Sequence, residues 1–306
     1  MPKVSIGLPV YNGSNYLPAA ITSLLAQTYE DFELIICDNA STDDTEAICL
    51  EFARKDRRIR YYRNDINLGA APNFNKCVDL ANGEYFKWAA HDDLCLPDYL
   101  RQCVAALDEN DSAVLCHSGI GVIDASGKTI YEYTLENGRF SDADPVSRFA
   151  HAIDDRHWCI SIFGLIRRTA LLKTTRIESY ISSDRNLIAQ LSLLGPILHV
   201  PAILFLSREH LERSIRAINF RDRGSWFNTA SPVSGELFYC KMLTSNVSTL
   251  FRMPIEVTQR LRGLNAILMW AWHSNNIRNM FGELWRFVWN RIPLPLPRAS
   301  LDKGAD

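Results

Sequence analysis

Hydrophobic residues in the first third of the chain follow two alternating patterns. Short, nearly continuous apolar runs are typical of buried strands, and the segments between them have the three-to-four-residue spacing of helices. The predicted strands are 4–10, 32–38, 59–63 and 85–89. The predicted helices are 15–28, 70–82, 97–107 and one that follows the capping box 41–44 and ends near residue 53. This alternation predicts an α/β fold with a mostly parallel sheet and helices on both faces.

Strand and helix signals continue less regularly beyond this region. We predict strands at 113–123, 130–133, 158–167 and 197–206, helices at 169–173 and 184–194, and an exposed loop at 136–145. After Ser214 the pattern becomes helical with little strand, and residues 293–306 are expected to form a loose tail. These changes indicate a main domain at 1–214 and a helical C-terminal extension at 215–306.

Composition and charge narrow the class of protein. The 306 residues are 47% apolar and 22% charged, the balance of a globular protein with a sizeable core. The net charge of −2 counts against nucleic-acid binding, which usually requires a basic surface. The eight cysteines include no Cys-x-x-Cys pair, so buried reduced thiols are expected rather than disulfides or zinc ligands.

Neither a membrane span nor a signal peptide is predicted. No stretch approaches the roughly 18 uncharged apolar residues that a spanning helix requires. The first predicted strand begins at Val4, which leaves no room for the basic and apolar regions of a signal peptide. We therefore expect a cytoplasmic protein.

Polar residues follow three of the predicted strands, as Tyr11-Asn12, Asp38 and Asp92-Asp93. Ligands of open α/β sheets bind beyond the carboxyl ends of the strands, so these groups are predicted to line one crevice. Adjacent carboxylates suit a hard divalent cation on nucleotide phosphates, because Mg²⁺ takes one or two carboxylates from the protein and its other ligands from phosphate and water. The pattern therefore favours nucleotide binding.

The local sequence leaves two interpretations open for the other residues of this crevice. Asp38 either accepts a hydrogen bond from a nucleobase or only turns the chain; combined with the acidic pair, the first is preferred. Tyr11 either stacks on a base or belongs to a plain loop. Gly69, in the turn that begins at Asn67, either lets a ligand approach the backbone or starts a helix.

Two residues from the second half are further candidates. Asp184 begins a predicted helix, either as its N-cap or as a general base near an acceptor hydroxyl. His210 follows a predicted strand and is either structural or part of a metal shell. His91 is expected to point away from the group that Asp92 faces, because side chains alternate along a strand.

Several segments together resemble the family 2 glycosyltransferases, which have the GT-A fold. Over roughly the first 100 residues the matching segments are Val4–Asn12, Leu34–Thr45, Asn67–Gly69, Ala81–Tyr85 and Asp92-Asp93. A looser match continues to about residue 214, through Phe163–Arg168, Ser183-Asp184 and Arg208–His210. The resemblance implies a nucleotide-sugar-binding half at 1–110 and an acceptor-binding half at 111–214.

Carried over to this chain, the resemblance implies a role for each candidate. Asp184 would be the catalytic base that deprotonates the acceptor, and Asp93 and His210 would hold Mg²⁺ or Mn²⁺. The residues assigned to the nucleotide sugar are Pro9, Tyr11, Asp38 and Asp92, with Asn67 and Gly69 as second-tier candidates. Such enzymes are typically inverting, and the metal ion mainly neutralises charge on the leaving diphosphate.

The sequence departs from the family pattern at two positions. Ala90 stands where the first Asp of an Asp-x-Asp-Asp string often lies, and Ser183 replaces the Glu of a Glu-Asp pair. The last two residues of the first string are intact, so we expect metal binding to persist. The Gln-x-x-Arg-Trp motif and the membrane spans of processive members are lacking in the sequence, which favours transfer of a single sugar.

The resulting hypothesis is a metal-dependent hexosyl- or related transferase. It would move one sugar from a nucleoside-diphosphate sugar, with a UDP-sugar favoured, to a glycan or lipid-linked acceptor in polysaccharide assembly. A sugar-phosphate nucleotidyltransferase is an alternative, but its triphosphate would need a basic loop after the first strand, and Tyr11–Asn15 contains neither Lys nor Arg. A catalytically degenerate nucleotide-binding scaffold is a third possibility, because Ser183 weakens the base motif.

An apolar helical stripe lies near the C-terminus. Its residues are Ile267, Trp270, Ile277, Phe281, Leu284 and Val288, and the flanking residues are Trp285, Trp289, Arg278, Arg286 and Arg291. Two interpretations remain open, with core packing preferred over a helix on a membrane surface. A lipid-linked acceptor would make peripheral contact with the inner face of the cell membrane useful.

Overall fold

The computed structural model describes residues 1–133, 138–154, 159–211, 226–230, 237–273 and 275–289. Its strands are β1 (Val4–Val10), β2 (Phe32–Asp38), β3 (Ile59–Arg63), β4 (Tyr85–Trp88), β5 (Leu94–Cys95), β6 (Leu115–Ile123), β7 (Thr129–Tyr133), β8 (Leu165–Arg167) and β9 (Ile197–Arg208). Its helices are α1 (Leu17–Leu25), α2 (Thr45–Lys55), α3 (Ala70–Leu80), α4 (Tyr99–Asp108), α5 (Pro145–Ile153), α6 (Arg168–Leu171), α7 (Ser183–Leu194), α8 (Phe238–Arg252), α9 (Val257–His273) and α10 (Asn276–Trp289). The predicted α/β fold is confirmed.

The strands form one sheet in the order β3-β2-β1-β4-β8-β6-β9-β5, and β7 pairs with β6. From β3 to β4 all pairs are parallel, as predicted for the first half. β8 runs antiparallel to both β4 and β6, so β6 and its parallel partner β9 point the same way as β4. The carboxyl ends of β1, β2, β4, β6 and β9 therefore lie along one side, which we call the carboxyl edge.

Apolar side chains cover the sheet on both faces. Along β2, Ile35 and Cys37 belong to one core cluster, whereas Leu34 and Ile36 belong to the other. This separation follows from the two-residue period of a strand. Because both faces are buried, the central strands are almost continuously apolar, which is why they could be predicted from the sequence.

Three predicted segments differ from the structure. Residues 94–95, for which no strand is predicted, form β5 and pair with β9. In the predicted strand 158–167 only Leu165–Arg167 is extended, Cys159–Phe163 is a 3₁₀ helix, and residue 158 lies outside the described residues. The predicted exposed loop contains a 3₁₀ turn at Gly138–Ser141 with Phe140 buried, and residues 136–137 lie outside the described part.

The 3₁₀ helix has an identifiable cause. The carbonyl of Phe163 accepts hydrogen bonds from the ammonium of Lys87, which is buried in β4, and from the hydroxyl of Tyr99 at 3.1 Å. A buried ammonium requires such partners, because its desolvation is costly. Satisfying Lys87 therefore takes this carbonyl out of the strand ladder.

The predicted C-terminal stripe divides into two parts. Ile267 and Trp270 of α9 are buried and share a core cluster with residues of the sheet, so the core-packing interpretation is correct for them. The α10 part of the stripe is exposed, so core packing is wrong there; its residues are Ile277, Phe281, Leu284 and Val288. The boundary at 214/215, Arg291 and the predicted tail lie outside the described residues. No helix in the described ranges is long and apolar enough to cross a membrane.

Candidate functional site

The loop after β1 is fixed by hydrogen bonds to the loop after β2. Asn12 has a positive φ of 50°, and its N–H donates to Ser41 Oγ at 2.9 Å. The N–H of Ser14 donates to Asp43 Oδ2 at 3.0 Å. Burial opposes ionisation of Asp43, but hydrogen bonds from Thr45 and Ser14 outweigh it and lower its pKa to about 2. The sequence indicates only a helix start for Ser41 and Asp43.

Asp38 ends β2 and has no exposed surface. Its Oδ1 accepts from the N–H of Ser41 at 2.9 Å, and its Oδ2 accepts from the hydroxyl of Tyr61 at 2.8 Å and lies 3.4 Å from Arg63 Nε. Burial and the Asp38 carboxylate raise the pKa of Tyr61, so the phenol remains a donor. In this conformation the carboxylate holds the neighbouring loop, and contact with a base requires Tyr61 or Arg63 to move.

Pro9 and Tyr11 occupy different environments at the end of β1. Pro9 lies within the buried strand opposite Cys37 of β2. Tyr11 follows the strand and is 45% exposed, so its ring is available at the carboxyl edge. The assignment of Pro9 and Tyr11 to the nucleotide sugar stays a prediction, with Pro9 buried and the Tyr11 ring accessible.

Asparagine side chains join the β2 loop to the turn before α3. Asn39 Nδ2 donates to Asn67 Oδ1 at 2.8 Å and to the carbonyl of Gly69 at 3.1 Å. Asn39 Oδ1 accepts from Asn64 Nδ2 at 2.9 Å, and Asn64 in turn donates to Asn73 Oδ1 at 3.1 Å. The sequence alone does not single out Asn39, Asn64 or Asn73: Asn39 and Asn64 each follow a strand, and Asn73 lies within α3.

Asp92, Asp93 and His210 lie together beyond the ends of β4 and β9. His210 Nε2 is 2.9 Å from Asp92 Oδ2. The N–H of Arg208 donates to Asp93 Oδ1 at 2.8 Å, and its buried guanidinium donates from Nε to the carbonyl of Asp92 at 2.9 Å. The predicted convergence of the acidic pair with His210 is therefore present.

An aromatic ring from the start of α1 completes this cluster. The ring centroid of Tyr16 lies 4.8 Å from that of His210 and 4.7 Å from the guanidinium carbon of Arg208. Arg208 Nη1 also donates to the carbonyls of Asp124 and Ala125 at 3.2 Å. Arg208 thus links three loops of the carboxyl edge. The sequence indicates Arg208 only as part of a motif and does not indicate Tyr16.

The side chains at this position fit a hard divalent cation. Asp92 and Asp93 offer carboxylate oxygens, and His210 Nδ1 is buried without a hydrogen-bond partner in the described part of the chain. No group of three or more His, Cys, Asp or Glu residues in the described ranges forms a complete metal shell. A cation here would therefore depend on diphosphate and water for its other ligands. The assignment of Asp93 and His210 to a metal stays a prediction.

Asp184 lies in the first turn of α7. Ser182, with φ of 65°, is the N-cap, so the N-cap interpretation of Asp184 is wrong. Asp184 Oδ1 accepts from the N–H of Arg185 at 2.9 Å. Burial raises the pKa of Asp184, although the positive charge of Arg185 and backbone hydrogen bonds oppose the shift.

Connectivity places Asp184 on the side of the carboxyl edge. α7 leads through Gly195 and Pro196 into β9, whose first residue lies at the opposite edge, so the first turn of α7 is directed toward the carboxyl edge. The 3₁₀ helix that begins at Cys159 contacts α7, and burial together with the charge of Asp184 raises the pKa of Cys159. Cys159 precedes β8, which runs antiparallel to β4, so it lies at the same edge.

This sheet, with acidic residues beyond β4 and their partners beyond β9, defines a GT-A-type glycosyltransferase. The sequence model of glycosyl transferase family 2 matches residues 5–175. The chain therefore belongs to glycosyltransferase family 2 and is a transferase enzyme, as the resemblance implied.

Two relatives of similar sequence are named as uncharacterized glycosyltransferases. The chain is 37% identical over 131 residues to an uncharacterized glycosyltransferase of Rickettsia typhi, which is 42% of this chain and 40% of that protein. It is 33% identical over 143 residues to an uncharacterized glycosyltransferase of Methanocaldococcus jannaschii, which is 46% of this chain and 49% of that protein. Each match thus spans less than half of the relative.

Two solved structures have a similar fold. S. aureus TarS in complex with UDP-GlcNAc superposes with a TM-score of 0.63 and 19% identity, over 88% of this chain and 72% of that one. The mannosyltransferase PcManGT from Pyrobaculum calidifontis, in complex with GDP-Man and Mn²⁺, superposes with a TM-score of 0.55 and 15% identity, over 97% and 77%. At these identities the likeness establishes the fold.

Proposed function

We propose that the enzyme transfers one sugar, with inversion, from a nucleoside-diphosphate sugar to a glycan or lipid-linked acceptor. The observation that carries the proposal is the convergence of Asp92, Asp93 and His210 at the carboxyl edge. Fold neighbours bind UDP-GlcNAc and GDP-Man, which supports the class of donor, and we favour a UDP-sugar. We assign 1–110 to the donor, 111–214 to the acceptor and 215–306 to a helical extension.

The donor is proposed to bind along the loops that follow β1, β2 and β4. The exposed ring of Tyr11 offers a stacking surface for the base, and Pro9 supports the strand beneath it. Asp38 contributes to the base pocket through the loop it fixes, or by direct contact once Tyr61 or Arg63 moves. Asn67, Gly69 and Asp92 lie on the adjoining loops and are assigned to the sugar nucleotide.

A Mg²⁺ or Mn²⁺ ion held by Asp93 and His210 would neutralise charge on the leaving diphosphate. Arg208 donates hydrogen bonds to the backbone carbonyl of Asp92 and to the carboxylate of Asp93, so these oxygens are oriented before the donor binds. Orienting charged groups in advance is favourable, because no reorganisation is then needed during the reaction.

Asp184 is proposed as the base that takes the proton of the acceptor hydroxyl. Its raised pKa makes the carboxylate a stronger proton acceptor than an ordinary aspartate. In a single in-line displacement the acceptor oxygen forms the new glycosidic bond as the bond to the diphosphate breaks, and the proton moves to Asp184. The neighbouring Ser183 carries no charge, so the base function would rest on Asp184 alone.

The donor class is tested by thermal unfolding with UDP, GDP, dTDP and their sugars, each with and without Mn²⁺. A ligand at a hundred times its Kd adds about 2.7 kcal/mol to the free energy of unfolding. We expect UDP and UDP-sugars with Mn²⁺ to raise Tm, and Asp93→Asn to remove the Mn²⁺-dependent part. Asp111→Asn changes an exposed aspartate and is the matched control.

Two outcomes would replace the proposal. Donor binding without hydrolysis or transfer, unaffected by Asp184→Asn, would identify a scaffold. Stabilisation by nucleoside triphosphates together with sugar phosphates, and not by nucleoside-diphosphate sugars, would identify a nucleotidyltransferase.

A further inference from the structure

Helix α10 presents a continuous apolar face to solvent. Its residues follow the i, i+4, i+7, i+8, i+11 spacing of one helix face and are Ile277 (40% exposed), Phe281 (69%), Leu284 (44%), Trp285 (68%) and Val288 (56%). Trp289 is 57% exposed and stacks on Trp285 with ring centroids 5.6 Å apart. We call these six residues the α10 outer face.

The opposite side of α10 anchors the helix to the rest of the protein. Met280 is buried in the core cluster that includes residues of α8 and α9. Glu283 is 5% exposed and accepts hydrogen bonds from the N–H groups of Tyr239 and Cys240 at the start of α8. The helix is therefore fixed in an orientation that leaves the α10 outer face uncovered within the described residues.

Such a face requires a partner. Single exposed apolar residues are normal on soluble proteins, but a contiguous patch of large side chains usually marks an interaction surface. Tryptophan is typical of the boundary between lipid headgroups and acyl chains, because its ring is apolar and its N–H remains wet.

The charges beside the face indicate which partner it fits. The exposed charged residues of α10 are Arg278 and Arg286, and its one acid, Glu283, is buried. The adjoining helix α9 has no acidic residue and adds Arg260, whereas its Arg262 is already paired with Asp144. The border is thus basic although the net charge of the chain is −2, which complements an anionic lipid surface. A second copy of the same face would bring only like charges.

We propose that the α10 outer face lies on an anionic bilayer, with Phe281 and Trp285 at the acyl boundary and Arg278 and Arg286 on lipid phosphates. Helix α10 would then be the site of the peripheral membrane contact expected for a lipid-linked acceptor. This proposal rests on the proposed function, in which the acceptor is lipid-linked. An amphipathic helix of this kind binds through apolar burial together with attraction to anionic lipid, and it does not span the membrane.

The test is co-sedimentation of the full chain with vesicles of phosphatidylcholine, alone or mixed with phosphatidylglycerol. We expect binding to the anionic vesicles only. Phe281→Ser with Trp285→Ser should weaken it at least about tenfold, because both rings leave the interface. Arg278→Glu and Arg286→Glu should each weaken it about fivefold or more, and added salt should mimic their effect.

Matched controls come from helix α2. Leu50→Ser and Arg54→Glu change an exposed apolar and an exposed basic residue there, and neither should alter vesicle binding. Tm shifts with UDP and Mn²⁺, measured on every variant, separate loss of membrane contact from loss of folding or donor binding.

Equal binding to neutral and anionic vesicles, or no binding to either, would overturn the proposal. A dimer in sedimentation velocity that Phe281→Ser with Trp285→Ser dissociates would show that a second copy covers the face. Vesicle binding that arises only after removal of residues 290–306 would show that the chain's own C-terminal segment occupies it.

Discussion

At the scale of single residues, Asp43 and Asp184 differ in the net effect of burial and hydrogen bonding on their pKa. Asp43 receives enough hydrogen bonds to offset its burial, and its pKa falls to about 2. Asp184 receives fewer, so burial dominates and its pKa rises. A carboxylate destabilised in the folded state is suited to accept a proton, and this cost in stability is expected where a residue serves catalysis.

Replacement of Asp184 by Asn should separate activity from stability. Loss of a general base lowers kcat by roughly 10²–10⁴-fold. Because the folded-state pKa is raised, ionised Asp184 disfavours folding above that pKa, so Asp184→Asn should raise Tm at pH 7. The difference should vanish below the unfolded-state pKa of about 3.9, where both states are protonated. Transfer assays and thermal unfolding across pH measure the two effects.

The control for Asp184→Asn is Asp98→Asn. Hydrogen bonds from Arg101 and Thr28 lower the pKa of Asp98, so its contribution to stability is present at neutral pH and lost as the pH falls through the folded-state pKa. Asp98→Asn should therefore lower Tm at pH 7 without changing kcat. A fall in Tm for Asp184→Asn, or an unchanged kcat, would contradict the role assigned to Asp184.

The sequence located the acidic residues but not the side chains that orient them. Asp38 and Asp92 could be placed because they follow apolar runs, and parallel strands bring such ends to one edge. Tyr61, Tyr16 and Arg208 could not be assigned in the same way, because their partners lie far away along the chain. The hydrogen bond between Arg208 and Asp93 spans 115 positions, and no local period encodes it.

At the scale of elements, the turn before α3 meets a segment from the far end of the chain. Gly69 has φ of 88°, and a Cβ there would lie 2.6 Å from Asn228 Cα and 2.7 Å from the carbonyl oxygen of Phe227. Thr229 Oγ1 donates to the carbonyl of Asn67 at 2.6 Å. Segment 226–230 therefore packs directly on a proposed donor loop, and glycine is required for both the backbone conformation and the close approach.

A comparison of Gly127 with Gly69 tests the backbone conformation and the close approach separately. Gly127 has φ of 90°, yet a Cβ there would meet only Arg208 Nη1 at 3.8 Å. Gly127→Ala should cost about 1–2 kcal/mol for the left-handed conformation alone. Gly69→Ala should cost about 1–3 kcal/mol more, because backbone must move. Urea unfolding measures the difference, and equal losses would contradict the packing of 226–230 on this turn.

Element boundaries were predictable where one period dominated and failed where a tertiary demand overrode it. β1 and β2 were predicted at 4–10 and 32–38 and have those limits, because each is buried on both faces. The predicted strand 158–167 was cut short because the Phe163 carbonyl serves Lys87, which lies 76 positions earlier. The apolar periodicity of the α10 stripe correctly predicted a helix, but it could not show whether the apolar side faces the core or solvent.

At the scale of the whole molecule, helices α8, α9 and α10 share a core with the catalytic sheet. Met242, Ile267 and Trp270 belong to the same buried cluster as Phe86 and Trp88 of β4. A shared core couples the stability of these three helices to that of the sheet. Helices α8, α9 and α10 are therefore expected to unfold together with the sheet.

Glu283 provides a test of this coupling, because it reaches from α10 to the start of α8. Its carboxylate accepts from the N–H of Tyr239 at 3.0 Å, a group that has no partner within its own helix. Glu283→Ala should lower the free energy of unfolding by about 1–3 kcal/mol, because buried donors lose a charged acceptor. Glu51→Ala, which removes an exposed ion pair with Lys55, should leave the free energy of unfolding nearly unchanged. If the molecule is one cooperative unit, circular dichroism and loss of UDP binding will report the same lowered midpoint. A midpoint that moves in circular dichroism while UDP binding persists would show that the C-terminal helices unfold independently.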